Sequence, residues 1–115
     1  MATVNPALSG RSRRWRRLVL LALVLAAALL AWNWRPLTGF AVTGASYAAR
    51  VGCSCRFVGG RSLSDCRKDF EPGMELVTLS EDVQAKSVTA RFPLLSSQTA
   101  TFRKGEGCRL EPWRE

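Results

Sequence analysis

"GASYAARVGCSCRFVGGRSLSDC", residues 44–66, carries three of the four cysteines and can be read with two different periods. Tyr47, Val51, Cys55 and Val58 recur at helical spacing, whereas Val51, Cys53, Cys55 and Phe57 alternate as a strand would. The flanks favour helix. "YAAR" is rich in helix formers, and Gly59 stands where a left-handed C-terminal cap wants glycine. Ser62 is followed three positions later by Asp65, a capping-box pattern with Asp in place of Glu. A second short helix over Leu63–Phe70 follows, stopped by "EPG" at 71–73. The expected unit is a helical hairpin turning at Gly59, Gly60 and Arg61.

C-terminal to the hairpin the pattern changes. "MELVTLS" (74–80), "KSVTARF" (86–92) and "QTATFRK" (98–104) are rich in Val, Thr, Leu and Phe. In the second, Val88, Ala90 and Phe92 alternate with Thr89 and Arg91, which puts the first three on an inner face. "EDVQAK" and "PLLSS" are the connections. The expected fold class is α+β: a three-stranded antiparallel meander with both helices on one face and a polar outer face.

N-terminal to the hairpin lies "LVLLALVLAAALLAW", Leu18–Trp32, without a charge or a strongly polar group. As a helix it spans roughly 22 Å against a hydrocarbon core of about 30 Å. Arg16, Arg17 and Arg35 can reach the headgroups along their stems, and Trp15, Trp32 and Trp34 suit the membrane interface. Residues 18–34 are therefore read as a transmembrane signal anchor in contact with lipid. A cleaved secretory signal is the rival reading, but bulky Leu29 and Trp32 flank Ala31 where cleavage needs small residues. Segment 1–17 holds Arg11, Arg13, Arg14, Arg16 and Arg17 and no acid, so the positive-inside rule keeps it cytoplasmic. Pro36 and Gly39 mark residues 35–43 as a linker. Residues 44–115 then form a small exported domain, and the chain is expected to cross the inner membrane once, with its C-terminal part periplasmic or extracellular.

Charge and chemistry narrow the function. Of the net charge of +8, five units belong to the topogenic arginines and +3 remains over residues 35–115, with no aromatic stacking motif. No nucleic-acid partner is expected. The chain has no histidine, which removes the commonest base near neutral pH and every Cys-His or Ser-His arrangement. Asp65, Asp69, Glu71 and Glu75 cluster in sequence but read as a solvated helix face. No catalytic residue and no cofactor is expected. Cys-x-Cys with Cys66 suits Cu(I), and four cysteines suit Zn, yet the paired Cys-x-x-Cys knuckles are missing. Thiol exchange would use the electropositive surroundings of Arg50, Arg56 and Arg61, but no thioredoxin-like βαβ pattern accompanies it. An even cysteine count in a small exported domain points instead to structural disulfides.

Two longer strings, "GASYAARVGCSCRFVGGRSL" and "VTLSEDVQAKSVTARFPLLSSQTATFRKGEGCRLEP", carry a resemblance. With an Ala-rich lead into Cys-Ser-x-x-Phe-Val-x-Gly-Arg, a "VT" strand and a closing Gly-Cys-x-Leu, roughly residues 42–112 resemble the N-terminal extension of some bacterial penicillin-binding-type serine hydrolases. Those are often labelled amidases or 6-aminohexanoate-dimer hydrolases. Such hydrolases use Ser-x-x-Lys and Lys-Thr-Gly; no serine here has a lysine three positions on, and "RKGEG" is not Lys-Thr-Gly. The resemblance therefore reaches only the non-catalytic extension. It implies that Cys53 and Cys108 are the family's two cysteines and that Cys55 and Cys66 are an added pair. The hairpin agrees, because Cys55 and Cys66 lie three positions from the facing helix ends and so at one level. The expected function is a non-catalytic, membrane-anchored exported module that binds or supports another membrane or periplasmic protein. Alternatives are a stand-alone module assisting a separately encoded serine hydrolase, and a metal or thiol-redox protein.

Overall fold

The computed structural model describes residues 6–112; residues 1–5 of the expected cytoplasmic segment and 113–115 of the expected domain lie outside it. The chain divides into two compact units between Arg35 and Pro36.

The first unit is helix α1, Pro6–Trp32. The helix continues through the arginine cluster into the apolar stretch Leu18–Trp32, and its part from Gly10 to Trp32, 23 residues, is long and apolar enough to cross a membrane. Arg11, Arg13, Arg14, Arg16, Arg17 and Trp15 are all exposed on it, as are Trp32 and the leucines from Leu18 to Leu30. α1 ends where it does for a backbone reason. Pro36 has no N–H to offer the carbonyl of Trp32, and the ladder stops at Asn33, whose main-chain N–H and Nδ2 both donate to Leu29 O (3.0 and 2.8 Å).

Helix α2, Trp34–Cys53, then begins immediately, which corrects the expectation of a linker over 35–43. Proline in the first turn of a helix forfeits no hydrogen bond, so Pro36 starts α2 where it was expected to leave a gap. The helical reading of 44–53 holds, and the buried face is not the one that Tyr47, Val51, Cys55 and Val58 share. Ala41, Ala45, Ala48, Ala49, Gly52 and Cys53 are buried, while Tyr47 and Val58 are exposed. Small residues win this face because they let the helix approach the sheet closely: a Cβ on Gly52 would lie 3.2 Å from Val88 Cγ1.

After Cys53 the helix widens into a π-helical turn, Ser54–Val58. Its closing bond runs from Gly59 N–H to Ser54 O (2.9 Å), followed by Arg61 N–H to Cys55 O (3.2 Å). The left-handed residue is Gly60 (φ 69°), and Gly59 stays right-handed. Ser62 caps helix α3, Leu63–Cys66, by accepting from Asp65 N–H (3.3 Å), and a 3-10 turn Arg67–Asp69 completes the second arm.

The sheet has four antiparallel strands in sequence order, β1 Thr78–Asp82, β2 Ser87–Phe92, β3 Ser96–Arg103 and β4 Gly107–Leu110. The three-stranded expectation missed β4, which pairs Cys108 with Phe102. Registered rows place Leu79 beside Ala90, and Val88 beside Ala100 and then Leu110, on the face that meets α2. The other face is polar, with Thr89 Oγ1 and Thr99 Oγ1 paired at 2.8 Å. α2 runs antiparallel to β2: Gly52 meets Val88, and Phe40 meets Phe92 edge-on with ring centroids 6.4 Å apart.

Alanines dominate this core, and its largest fully buried side chains are Val77, Val88, Cys53 and Cys66. So small a core gains little from burial and calls for covalent help. Two disulfides supply it, Cys53–Cys108 (Cα–Cα 6.0 Å) and Cys55–Cys66 (5.8 Å), the pairing that the resemblance implied.

Candidate functional site

Closing the alanine face of α2 on the sheet turns the flank bearing Tyr47, Arg50, Val51 and Ser54 away from the core. Along that flank runs a groove of about 890 Å³, bounded on its far side by Cys55, Gly59, Arg61 and Asp69, with Leu110 from the end of β4. The sequence pattern pointed to Tyr47, Val51 and Cys55 as one helical stripe, and they do line one surface. It is the groove wall. The signal that separates the two faces is the small-residue series from Ala41 to Gly52, which marks close packing more reliably than the larger apolar residues do here.

Polar groups distinguish this groove from a plain apolar cleft. Ser46 is only 9% exposed and lines it, and among the described residues its Oγ is the buried side-chain polar atom with no hydrogen-bond partner. A buried hydroxyl left unpaired costs on the order of 1–3 kcal/mol, which a ligand's polar group would recover. Arg50, one turn further along α2, is exposed at the rim.

Arg61 fixes the opposite rim. Its Nε donates to Asp65 Oδ2 (2.7 Å), its Nη1 to Asp69, and its Nη2 to the main-chain oxygen of Asp65 (3.2 Å). The Arg61 hydrogen bond, with a second from Lys68, holds the Asp65 carboxyl below its ordinary range. Those same carboxylates raise the Arg61 guanidinium. Glu75 is lowered as well, by its own N–H and that of Gly73, which donates to Glu75 Oε1 (3.1 Å). Three of the four clustered acids are thus occupied in holding the 61–75 segment.

All four sulfurs are bonded, so none is a thiolate available to a metal or to exchange chemistry. Among the described residues no group of three or more His, Cys, Asp or Glu is placed to hold a metal ion. Trp32 and Trp34 flank the break at Asn33, and both are exposed.

Compared with known proteins, the chain matches no family model, no curated protein and no solved structure. The resemblance to serine-hydrolase extensions gains nothing from these comparisons.

Proposed function

We propose that this chain is a single-pass membrane protein whose disulfide-bonded domain, held on the exported side of the inner membrane, binds another protein through the α2 groove and performs no catalysis itself. The observation that carries this reading is the groove: an aromatic ring, an aliphatic wall, an exposed guanidinium and an unpaired buried hydroxyl side by side on a framework locked by two disulfides. Tyrosine and arginine are the residue types that anchor protein interfaces, and an unpaired hydroxyl inside the patch supplies direction. Anchoring is supported by α1, which is long and apolar enough to cross a membrane and exposes its large apolar side chains from Leu18 to Trp32. Export is supported by the disulfides, which persist in oxidising compartments.

The test is a photo-reactive side chain at Tyr47 in the full-length protein in its native membrane. One discrete protein adduct is expected, abolished by Val51→Asp while both disulfides persist. Adducts unaffected by Val51→Asp, or none, would remove the groove from the argument.

A further inference from the structure

One end of the domain exposes more large apolar side chains than the other, and it is the end at which the chain enters. Because α2 runs antiparallel to β2, Phe40 lies against Phe92, next to the turn Pro93–Leu95 that joins β2 to β3. Leu94 at the tip of that turn is 104% exposed and holds a left-handed backbone (φ 62°), which an aliphatic side chain adopts at a cost. Nothing in the fold covers it. Phe40, in contact with Phe92, is 62% exposed, and Leu37 is exposed one turn earlier. At the opposite end, Asp82 closes β1 and the β1–β2 and β3–β4 turns carry Gln84, Lys86, Lys104 and Glu106, with Val83 the large apolar side chain exposed among them. Arg91 stands exposed just below the tip.

We infer that this end of the domain rests in the lipid interface, with Leu94 and Phe40 entering the acyl boundary and Arg91 at the level of the phosphates. The inference rests on the anchoring part of the reading above and is independent of the groove. Chain connectivity singles out lipid as the occupant. Phe40 follows Trp32, the last residue of the apolar stretch, by eight positions, a reach of roughly 28 Å even at full extension and far less as helix. An exposed apolar tip beside the point of tethering meets the bilayer at a very high effective concentration, which no diffusing partner matches. Aromatic and aliphatic side chains beside an arginine, whose guanidinium can pair with phosphate, are residue types that interfacial segments use on anionic membranes.

The experiment uses the full-length protein reconstituted into phosphatidylethanolamine–phosphatidylglycerol vesicles, with a photo-reactive residue at Leu94 or, as control, at Val83. Val83 is 58% exposed in the turn at the opposite end. Both sites are at the surface, so both variants should fold, and intact mass under non-reducing conditions checks the disulfides. The expected result is a lipid adduct several-fold more abundant at position 94 than at 83, in protein that resists carbonate extraction. Equal yields, no lipid adduct, or adducts only to a second copy of the chain, in protein that stays in the membrane, would overturn the inference and leave anchoring intact. Protein released by carbonate would overturn the anchoring and this inference with it.

Discussion

Gly59 has an ordinary φ of −77°, yet a Cβ added there would sit 2.7 Å from the carbonyl oxygen of Cys55. That oxygen belongs to backbone fixed by the π-helical turn, so it has little room to yield. Gly59→Ala should lower stability by about 2 kcal/mol, in the range of overpacked interiors. Leu94 is the converse case, a leucine in a conformation that suits glycine. In detergent, away from any bilayer, Leu94→Gly should raise stability by about 1 kcal/mol by relieving the left-handed strain. Thermal unfolding of the disulfide-intact protein measures both, and equal losses for the two variants would contradict the assignments. Asp65 adds a dependence on pH. Its folded pKa lies below the ordinary carboxylate value because Arg61 donates to the ionised form. The pairing is therefore fully present above the unfolded pKa, about 3.9, and fades as the pH drops through the lower folded value. Asp65→Asn should lower the unfolding midpoint at neutral pH and converge on the parent protein in strong acid. A constant difference between the two would argue against the pairing.

At the level of elements, the two disulfides differ in the loop each closes. Cys53–Cys108 spans 55 residues and Cys55–Cys66 spans 11. Chain entropy assigns them about 4 and about 3 kcal/mol respectively. A Cys53→Ala, Cys108→Ala double variant should thus unfold at lower denaturant than Cys55→Ala, Cys66→Ala, and the reverse order would show that native packing around the short bridge outweighs loop length. Much of this architecture was legible in the sequence. The alternation of Val88, Ala90 and Phe92 gave the inner face of β2, and Ser62 gave the α3 cap. Three features were not legible, each because a local signal was outweighed by something non-local. Pro36 reads as a breaker, but its effect depends on whether a helix ends or begins around it. Tyr47 and Val51 mark a helical stripe by their spacing, but which face is buried is decided by the sheet's demand for close approach, which hands that place to alanine and glycine. β4 is only four residues long, opens on Gly107 and carries a charged residue at Arg109, so its strand signal is weak, and its pairing with β3 lies beside the bridge from Cys108 to Cys53. The groove was illegible for the same reason as the α2 face, since it exists only once that face is chosen.

For the whole molecule, the proposed topology predicts that a reporter active only in the periplasm works when fused after Glu115, and that one active only in the cytoplasm stays silent there. The motive is five arginines and no acid ahead of the apolar stretch. Full-length mass in carbonate-resistant membranes should accompany the result; a soluble product beginning near Trp32 would identify a cleaved leader instead. The long bridge has a further consequence for a tethered domain. Tension applied between the membrane side of α2 and the residues after β4 does not run through strands β1 to β3. It passes along α2 to Cys53, crosses the disulfide to Cys108, and leaves through the last residues of β4. Strands β1 to β3, the α3 segment and the turns between them hang beside this load path as a slack loop. Pulled under oxidising conditions, the protein would yield almost no length from its sheet. Reduction would release some 55 residues, roughly 200 Å of extensible chain, so the cross-link acts as a mechanical shunt whose state sets how much force the fold ever feels.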